Sequence, residues 1–410
     1  MTSPNHRNKS LLWVDAYACH SDPTMRQLLQ ALPALQAAGW KIHVWCLRSD
    51  IPRDVADHVV FPSPRWLGPL ALIYFSVIVN LFGFWRWLMR RPRPADVIHA
   101  TCGTYLGAEI ATVQFLNCVW LRMQFRLGFS GWKEVAKFFL HCCGAVFERL
   151  HWWSPSLRLV LPVSDSVGDE VRRRVRRAVS VETLPNSYDE TRFNPEVRAR
   201  ERDIAREKFG FRAEDNVFVF VSLGHHKRKG FWLAVEGLAR VRRSPSQPPV
   251  KFLVVGGLPK TLAALHSRLD REYADWREWI TFTGQRSDVE HCLSAADAFL
   301  YPSYFEAFCL AEIEAAALGL PLLLTRHHGS EMILEPGVNG LWLDFDPAAI
   351  AMTIQTFLKR GASAFRRATG AALTRDGYAA RLLAIYDRFI PADDRAEEKN
   401  GGAPDSSGAG

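Results

Sequence analysis

Short apolar runs alternate with longer segments of helical periodicity along most of the chain. In the first half these runs predict strands at residues 11–14, 41–47, 95–100 and 110–115. Between the first two, residues 25–38 predict one helix that ends at Gly39. A second series of apolar runs follows residue 216, comprising VFVFVSL, KFLVVGG, ITFTG, AFLYPS and PLLLT. Because strands and helices alternate, we expect an α/β chain with two doubly wound parallel sheets.

One apolar run is longer than any of these strands. Residues 66–85 contain only Ser76 and Asn80 as clearly polar members, and four arginines follow by residue 93. This length suffices to span a bilayer, but a span would separate the first two strands from their sheet. We therefore favour a helix or hairpin that dips into one leaflet over a true span, with an ordinary core helix as the alternative. Residues 120–153 are amphipathic and either line the same face or form a soluble helix pair.

Composition fits two domains with their own cores and adds a charge asymmetry. Of the 410 residues, 48% are hydrophobic and 23% are charged. The eight cysteines show no metal-binding spacing and the polar N-terminus shows no signal peptide, so we expect reduced thiols in a cytoplasm. Residues 1–195 hold 23 Lys and Arg against 15 Asp and Glu, and ten of the 14 Trp. This basic, Trp-rich half favours an anionic membrane surface over nucleic acid, for which no recognition motif is visible.

The most specific chemistry lies between Tyr301 and Gly319. Glu306 follows a predicted strand in a turn-like position, and Glu314 lies in the Ala-rich helix that comes next. A strand, a turn and a helix N-terminus form an anion site, because free N–H groups point at the ligand. Carboxylates beside such a site suit sugar hydroxyls, since they accept hydrogen bonds from hydroxyls but repel phosphate. The alternative is a helix whose glutamates are only solvated.

The residues PSYFEAFCLAEIEAAALGLPLL, from Pro302 to Leu323, resemble the signature of glycosyltransferase family 4. The loop and strand Gly329–Asp344 and the segment PNSYDETRFNP at 185–195 are similar to further parts of that family. The resemblance is close over residues 161–343 and topological before them. It implies a retaining, nucleotide-sugar-dependent hexosyltransferase with the GT-B fold, in which two Rossmann-like domains face each other across a cleft.

The resemblance also implies a domain organisation for the chain. Residues 1–195 would form a membrane-facing N-terminal domain that binds the acceptor, and residues 196–373 a domain that binds the nucleotide sugar. Residues 374–390 would form a helix that returns to the N-terminal domain. Residues 391–410 have little to bury, and we expect them to be disordered.

Several roles in the second domain follow from the resemblance. Lys229 would stabilise the leaving phosphate, but the family arginine five residues earlier is replaced by Gly224. Other basic residues of the same loop could compensate, namely Arg228, Lys227 and, if protonated, His225 or His226. Glu306 would hold hydroxyls of the transferred sugar and Glu314 those of the ribose. Backbone N–H groups of three residues, Ala307, Phe308 and Cys309, would bind the sugar and the phosphate of the donor. The side chain of Arg286 would contact the nucleotide base.

The acceptor side is less marked in the sequence. The family often has a histidine after a central strand, where this chain has Gln114. Further candidates on this side are His99, Asp165, His20 and Asp15. The sequence Asp344-Phe345-Asp346 resembles a metal-binding Asp-x-Asp, but it precedes Pro347, so Asp346 is better read as a helix cap. We expect neither a metal nor another cofactor.

The sequence therefore predicts transfer of a hexose from a UDP- or GDP-linked sugar to a glycolipid, a lipopolysaccharide or a lipid-linked saccharide. The enzyme would lie on the inner face of the cytoplasmic membrane, as a peripheral or monotopic protein. The alternatives are a transferase with a soluble acceptor and an inactive GT-B scaffold subunit. An epimerase or a phosphorylase of the same fold has less support.

Overall fold

The computed structural model describes residues 9–20, 22–129, 131–244, 248–366 and 373–390. These residues form two compact units. The first lies within Met1–Val163, Val167–Leu184 and Asp376–Gly410, and the second within Ser164–Ser166 and Pro185–Arg375. Tyr188 already pairs with Thr374 in the second unit, so the chain changes units earlier than the expected residue 195.

The first unit is built on a parallel sheet of seven strands in the order β5-β3-β1-β6-β7-β8-β9. Its elements up to residue 184 are β1 Ser10–Val14, β2 Tyr17–Ala18, α1 Pro23–Gln30, α2 Leu32–Ala37, β3 Lys41–Cys46, β4 Arg48–Ser49, β5 Asp57–Val60, α3 Ala71–Leu88, β6 Val97–Thr101, β7 Ile110–Val113, α4 Asn117–Leu127, α5 Trp132–Trp152, β8 Leu159–Pro162, α6 Asp165–Arg172 and β9 Ser180–Val181. Alternate residues of β1 enter two separate cores, because side chains of a strand point to opposite faces of the sheet.

The single helix predicted at residues 25–38 is wrong in one respect. The structure has two helices there, α1 and α2, with Ala31 between them. Pro33 has no N–H to donate to the preceding turn, so it would interrupt a continuous helix. The break at Ala31 instead places Pro33 in the first turn of α2, where a proline is tolerated. Gly39 has a positive φ of 78° and ends α2 as predicted.

The last helix, α13 (Arg375–Asp387), packs on the sheet of the first unit. Tyr378, Leu382 and Tyr386 are buried in the same core as Leu11 and Trp13 of β1. The indole N–H of Trp13 donates a 3.0 Å hydrogen bond to the hydroxyl of Tyr386. The C-terminal segment is thus part of the first unit although it follows the second in the sequence.

The second unit contains a parallel sheet of six strands in the order β12-β11-β10-β13-β14-β15. Its elements are α7 Pro195–Lys208, β10 Asn216–Val221, α8 Phe231–Arg242, β11 Val250–Val255, α9 Pro259–Glu272, β12 Ile280–Gly284, α10 Val289–Ser294, β13 Ala298–Tyr301, α11 Leu310–Ala317, β14 Leu322–Thr325, β15 Gly340–Leu343 and α12 Pro347–Arg360. The chain runs outward from β10 on one side and from β13 on the other. The topological switch point therefore lies between β10 and β13, where parallel sheets bind ligands beyond their carboxyl ends.

The long apolar run forms a 3-10 turn, Arg65–Leu70, followed by the helix α3. Ala71, Phe75 and Val79 of α3 are buried in one core of the first unit, whereas the other residues of the helix are partly or fully exposed. Within the described residues it is the one helix long and apolar enough to cross a membrane, and 22% of its residues are buried.

A buried ion pair connects two elements of the second unit. Glu312 of α11 and His327, which follows β14, approach within 2.9 Å, and their side chains are 0% and 1% exposed. Burial alone would lower the pKa of His327, but the carboxylate of Glu312 outweighs burial and raises that pKa to about 9. Burial raises the pKa of Glu312. The pair holds the loop after β14 against the start of α11.

We expect His327→Ala to lower the free energy of unfolding by about 3–5 kcal/mol near pH 7, because it leaves the Glu312 carboxylate buried without its partner. Urea unfolding followed by circular dichroism measures the change, and His328→Ala is the matched control.

The raised pKa of His327 contributes stability in full below pH 6.5 and loses that contribution as the pH rises through about 9. Stability should therefore fall over this window in the parent protein and fall less in Glu312→Gln; equal slopes would contradict this account.

Candidate active site

Two loops meet at the switch point of the second sheet. One follows β10 and contains residues 222–230, and the other follows β13 and contains residues 302–309. Gly230 permits their contact: its φ is 75°, and a Cβ atom there would lie 1.9 Å from the carbonyl oxygen of Pro302. The backbone N–H of Tyr304 donates to the carbonyl of Arg228 at 2.9 Å. The two loops therefore form one structure at the carboxyl end of the sheet.

Glu306 lies at the centre of this structure and accepts several hydrogen bonds. The hydroxyl of Tyr301 donates to its Oε1 at 3.1 Å and that of Ser303 at 3.4 Å. Arg228 Nη1 lies 3.1 Å from the same oxygen. Burial alone would raise the pKa of Glu306, but the charges of Lys229, Arg228 and His327 outweigh it and hold the pKa below its ordinary value. Glu306 is therefore an ionised hydrogen-bond acceptor in a nearly closed site.

Two cations of the loop after β10 face this carboxylate. Arg228 also donates to the carbonyl of Phe305, which fixes its guanidinium between the loops. Lys229 Nζ lies 5.1 Å from the centre of the Tyr301 ring and 3.4 Å from the carbonyl oxygen of Val221. Arg228 and Lys229 thus present adjacent positive charges at the strand end.

The loop also contains the residues that could compensate for the family arginine replaced by Gly224. No atom lies within 4 Å of the position that a Cβ of Gly224 would occupy, so the backbone there is open. Lys227 and His225 are exposed. His226 is wrong as a compensating cation, because it is buried between aromatic rings and burial lowers its pKa to about 4. Arg228 is the residue that the structure places beside Glu306.

The glutamates of α11 face different surroundings. Successive residues of a helix are rotated by about 100°, so Glu312 and Glu314 point to nearly opposite sides. Glu312 lies in the core against His327, whereas Glu314 is partly exposed and acts on Arg192 electrostatically. The predicted ribose contact by Glu314 is compatible with this exposure and stays a prediction.

The residues between Glu306 and α11 form the entry to that helix. Cys309 is the N-cap residue with φ −84°, a conformation that does not require the glycine found in the family. Cys309 is 5% exposed, and burial followed by the charges of Glu312 and Glu306 raises the pKa of its thiol. The carbonyl of Ala307 accepts a 2.9 Å hydrogen bond from the hydroxyl of Ser164, and Phe308 is buried. The backbone here is held firmly, as a backbone anion site requires.

The remaining candidates of the second unit have partners of their own. Arg286 donates from Nε to Asp288 at 2.7 Å and from Nη2 to the other carboxylate oxygen, so its predicted base contact stays a prediction. Asp346 caps α12, accepting from the N–H of Ala349 at 2.8 Å. Among the described residues no cluster of three or more His, Cys, Asp or Glu has the geometry of a metal site.

In the first unit the structure separates the acceptor-side candidates. His99 is buried in β6, where its ring nitrogens lie 2.6 Å from the hydroxyl of Tyr386 and 2.7 Å from that of Thr112. Burial lowers its pKa to about 3. His99 is therefore a core residue, and its prediction as an acceptor ligand is wrong. Gln114 follows β7 directly. Asp165, the exposed first residue of α6, belongs to the second unit.

Asp15 and His20 have partners at the same end of the first sheet. Asp15 follows β1 and accepts from the hydroxyl of Thr101 and from the N–H of Tyr17. Burial raises the pKa of Asp15 to about 7 despite these two bonds. His20 is exposed, and its Nδ1 lies 2.9 Å from Asp50.

Three residues of the site were not anticipated from the sequence. Tyr301 and Ser303 donate to Glu306, and His327 adds a buried positive charge. One feature of the sequence could have indicated the third. Glu312 is a charged residue among the apolar residues of α11, and a buried charge requires a partner of opposite charge.

Comparison with known proteins gives similarities in sequence and in fold. Residues 215–360 match the family model of glycosyl transferases group 1. The lipopolysaccharide glucosyltransferase WaaG of Escherichia coli (strain K12) is 27% identical over 183 residues, which are 44% of this chain and 47% of that protein. The alignment thus spans about half the length of this curated relative.

Solved structures share the fold over nearly the whole chain. The crystal structure of WaaG, a glycosyltransferase involved in lipopolysaccharide biosynthesis, gives a TM-score of 0.65 at 19% identity and covers 92% of this chain and 95% of that one. HepE from Anabaena in complex with UDP-glucose gives a TM-score of 0.59 at 16% identity and covers 93% and 98%. The predicted GT-B fold is confirmed, and residues 215–360 of the chain are similar to the group 1 glycosyltransferases.

Proposed function

We propose that the protein is a retaining hexosyltransferase that takes a nucleotide diphospho-sugar as donor. The observation that carries this proposal is the ionised Glu306 beside Arg228 and Lys229 at the switch point of the second sheet. An anionic acceptor group suits sugar hydroxyls, and adjacent cations suit a diphosphate. A site with both, next to the N-terminus of α11, matches a molecule that joins a sugar to a diphosphate.

The chemistry assigns a distinct task to each group. As the bond between the anomeric carbon and the phosphate oxygen breaks, the electron pair leaves with the nucleoside diphosphate. Lys229 and the N–H groups at the start of α11 stabilise the charge that develops there. The acceptor hydroxyl forms the new bond on the face that the phosphate leaves, and its proton passes to the departing phosphate oxygen. Glu306 orients the sugar through its hydroxyls and takes no proton.

Arg228 serves this chemistry by holding Glu306 in place. Its Nη1 reaches Glu306 while a second bond fixes it to Phe305, so it neutralises the carboxylate before the donor arrives. Lys229 then remains for the phosphates. UDP-linked glucose is a suitable first donor to test, because HepE binds it in the same fold.

The proposed acceptor is a lipopolysaccharide or another lipid-linked saccharide at the cytoplasmic membrane surface. WaaG, a lipopolysaccharide glucosyltransferase, is similar in sequence over about half its length and has the same fold. In the first unit α3 exposes a large apolar face, formed by Leu72, Val77, Leu81, Phe84, Trp85 and Leu88. Arg90 and Arg91 lie exposed just beyond it, whereas Arg93 pairs with Glu109. An apolar face with a basic flank matches an anionic lipid surface.

We expect Glu306→Gln to lower the turnover number by about 30- to 150-fold, because it removes one charged acceptor from a sugar hydroxyl, a loss of about 2–3 kcal/mol. Turnover with UDP-glucose and a rough-form lipopolysaccharide measures the effect. Glu335→Gln, at a position outside the two loops, is the matched control. Equal turnover by Glu306→Gln and the parent would remove Glu306 from the site.

We expect Glu314→Ala to weaken the binding of the nucleoside diphosphate itself, with or without the sugar, by roughly tenfold. The reason is that a carboxylate on α11 would accept hydrogen bonds from the ribose hydroxyls. Isothermal titration with UDP and with GDP measures the two affinities. An unchanged affinity for both nucleotides would show that the ribose lies elsewhere.

We expect the protein to float with vesicles that contain anionic phospholipid at low salt. High salt should release only part of it, because exposed charges are screened within about 8 Å at physiological ionic strength whereas apolar contacts persist. Replacing Leu72, Val77, Leu81 and Leu88 with Ser, together with high salt, should release the rest and leave UDP binding intact. The matched control carries Ser at the exposed apolar positions Ile204, Leu258 and Met352 of the second unit. A folded, UDP-binding parent that stays at the bottom of the gradient would contradict membrane association.

A further inference from the structure

Helix α5 exposes several apolar residues, whereas some of its polar residues are turned toward the protein. Its exposed apolar residues are Trp132, Val135, Phe139, Val146 and Leu150. On the opposite side, His141, Glu148 and His151 turn toward the first sheet, since seven residues make nearly two helical turns. His151 accepts from the N–H of Gly103, just after β6, at 2.9 Å. The polar face of α5 therefore lies over the carboxyl ends of the central strands, where such sheets bind ligands.

Three side chains on this face form one connected network. Glu148 Oε1 accepts from the backbone N–H of Asn117 at 2.8 Å and from its Nδ2 at 2.5 Å. Asn117 Oδ1 lies 2.6 Å from Nδ1 of His141. Gly144 makes room for this arrangement, because a Cβ atom there would lie 2.9 Å from the amide of Asn117.

The network determines which nitrogen of His141 carries the proton. A backbone N–H can only donate, so Glu148 Oε1 must accept, and the amide of Asn117 must turn Nδ2 toward it. Asn117 then presents Oδ1 to His141, and Nδ1 of the ring must be the donor. Burial lowers the pKa of His141 to about 4, so the ring is neutral near pH 7 and its Nε2 is a hydrogen-bond acceptor.

Aromatic rings surround this oriented imidazole. Trp120 stacks on His141 with the ring centres 3.7 Å apart. Phe115, which lies two residues beyond the end of β7, is 5.7 Å away and 36% exposed. His141 itself is partly exposed. The partly exposed ring of His141 and the ring of Phe115 thus lie side by side near the end of β7.

We propose that His141, with Phe115 beside it, binds the saccharide portion of the acceptor substrate in the first unit. The Nε2 acceptor suits a hydrogen-bond donor, which a sugar hydroxyl supplies and an acyl chain or an ionised phosphate does not. The exposed ring of Phe115 offers an apolar surface for the C–H face of a sugar. This inference rests on the proposed function and adds the position of the acceptor, in which His141 binds substrate and Asn117 and Glu148 act as positioning residues.

The test measures saccharide binding apart from catalysis. Isothermal titration uses the lipid-free core oligosaccharide of a rough-form lipopolysaccharide, together with methyl glycosides of glucose, galactose and mannose. His141→Phe keeps a ring on Trp120 but removes Nε2, and we expect roughly tenfold weaker saccharide binding with unchanged affinity for UDP. Val146→Ser, on the opposite face of α5, is the matched control and should leave saccharide binding unchanged.

Two further variants separate a positioning role from a structural one. Asn117→Ala and Gly144→Ala leave His141 in place but disturb its orientation, so the acceptor KM should rise in both while kcat changes little. Thermal unfolding shows whether α4 and α5 remain folded. If the parent binds none of these saccharides, or if His141→Phe binds them as tightly as the parent, the proposed acceptor position is wrong. Failure of the parent to bind UDP or GDP would instead overturn the proposed function.

Discussion

The charge balance around Glu306 is the constraint on which the rest of the second unit depends. A carboxylate in a nearly closed site would take up a proton unless cations opposed its burial. Arg228 does so by direct contact and Lys229 and His327 do so from nearby, and the pKa of Glu306 falls below its ordinary value. His327 is charged only because Glu312 lies against it in the core. The buried pair and the exposed loops thus belong to one electrostatic unit.

The loop after β10 has Gly224 where the resembled family has an arginine. The positive charge beside Glu306 comes from Arg228, four residues farther along the chain, which a hydrogen bond to Phe305 anchors. The loop is held to its neighbour at Gly230, where a side chain would collide with Pro302. An arginine at position 224 would extend from an open stretch of backbone and would have to be ordered by the ligand.

The first unit distributes polarity in a way that suits a substrate with two different ends. Helices α3 and α5 turn apolar residues outward, and α5 turns a polar network toward the carboxyl ends of the sheet. A lipid-linked saccharide has the same division, with an apolar anchor and a hydroxyl-rich head. The proposed function therefore accounts for the charged site of the second unit and for the distribution of polar and apolar residues in the first.

The sequence predicted the parts that depend on local pattern. The two sheets, the helix cap at Asp346 and the placement of Glu306 after a strand follow from periodicity and turn chemistry, and the structure has them. It could not predict pairs that only the fold brings together, such as Glu312 with His327 or Asn117 with His141. The predictions for His99 and His226 were wrong for the same reason, because the sequence near a strand end does not show whether a histidine is buried or exposed. Burial, which decides their charge, is a property of the packed structure.

The central claim is that the nucleotide sugar binds at the switch point of the second sheet, with its diphosphate at Lys229 and its sugar at Glu306. Hydrogen–deuterium exchange of the parent protein, alone and saturated with UDP or with UDP-glucose, tests this most directly. UDP should protect the amides of residues 222–230, of residues 307–309 and of the start of α11, and UDP-glucose should additionally protect residues 302–306. Protection confined to the first unit, or the same protection of residues 302–306 by UDP as by UDP-glucose, would contradict the account.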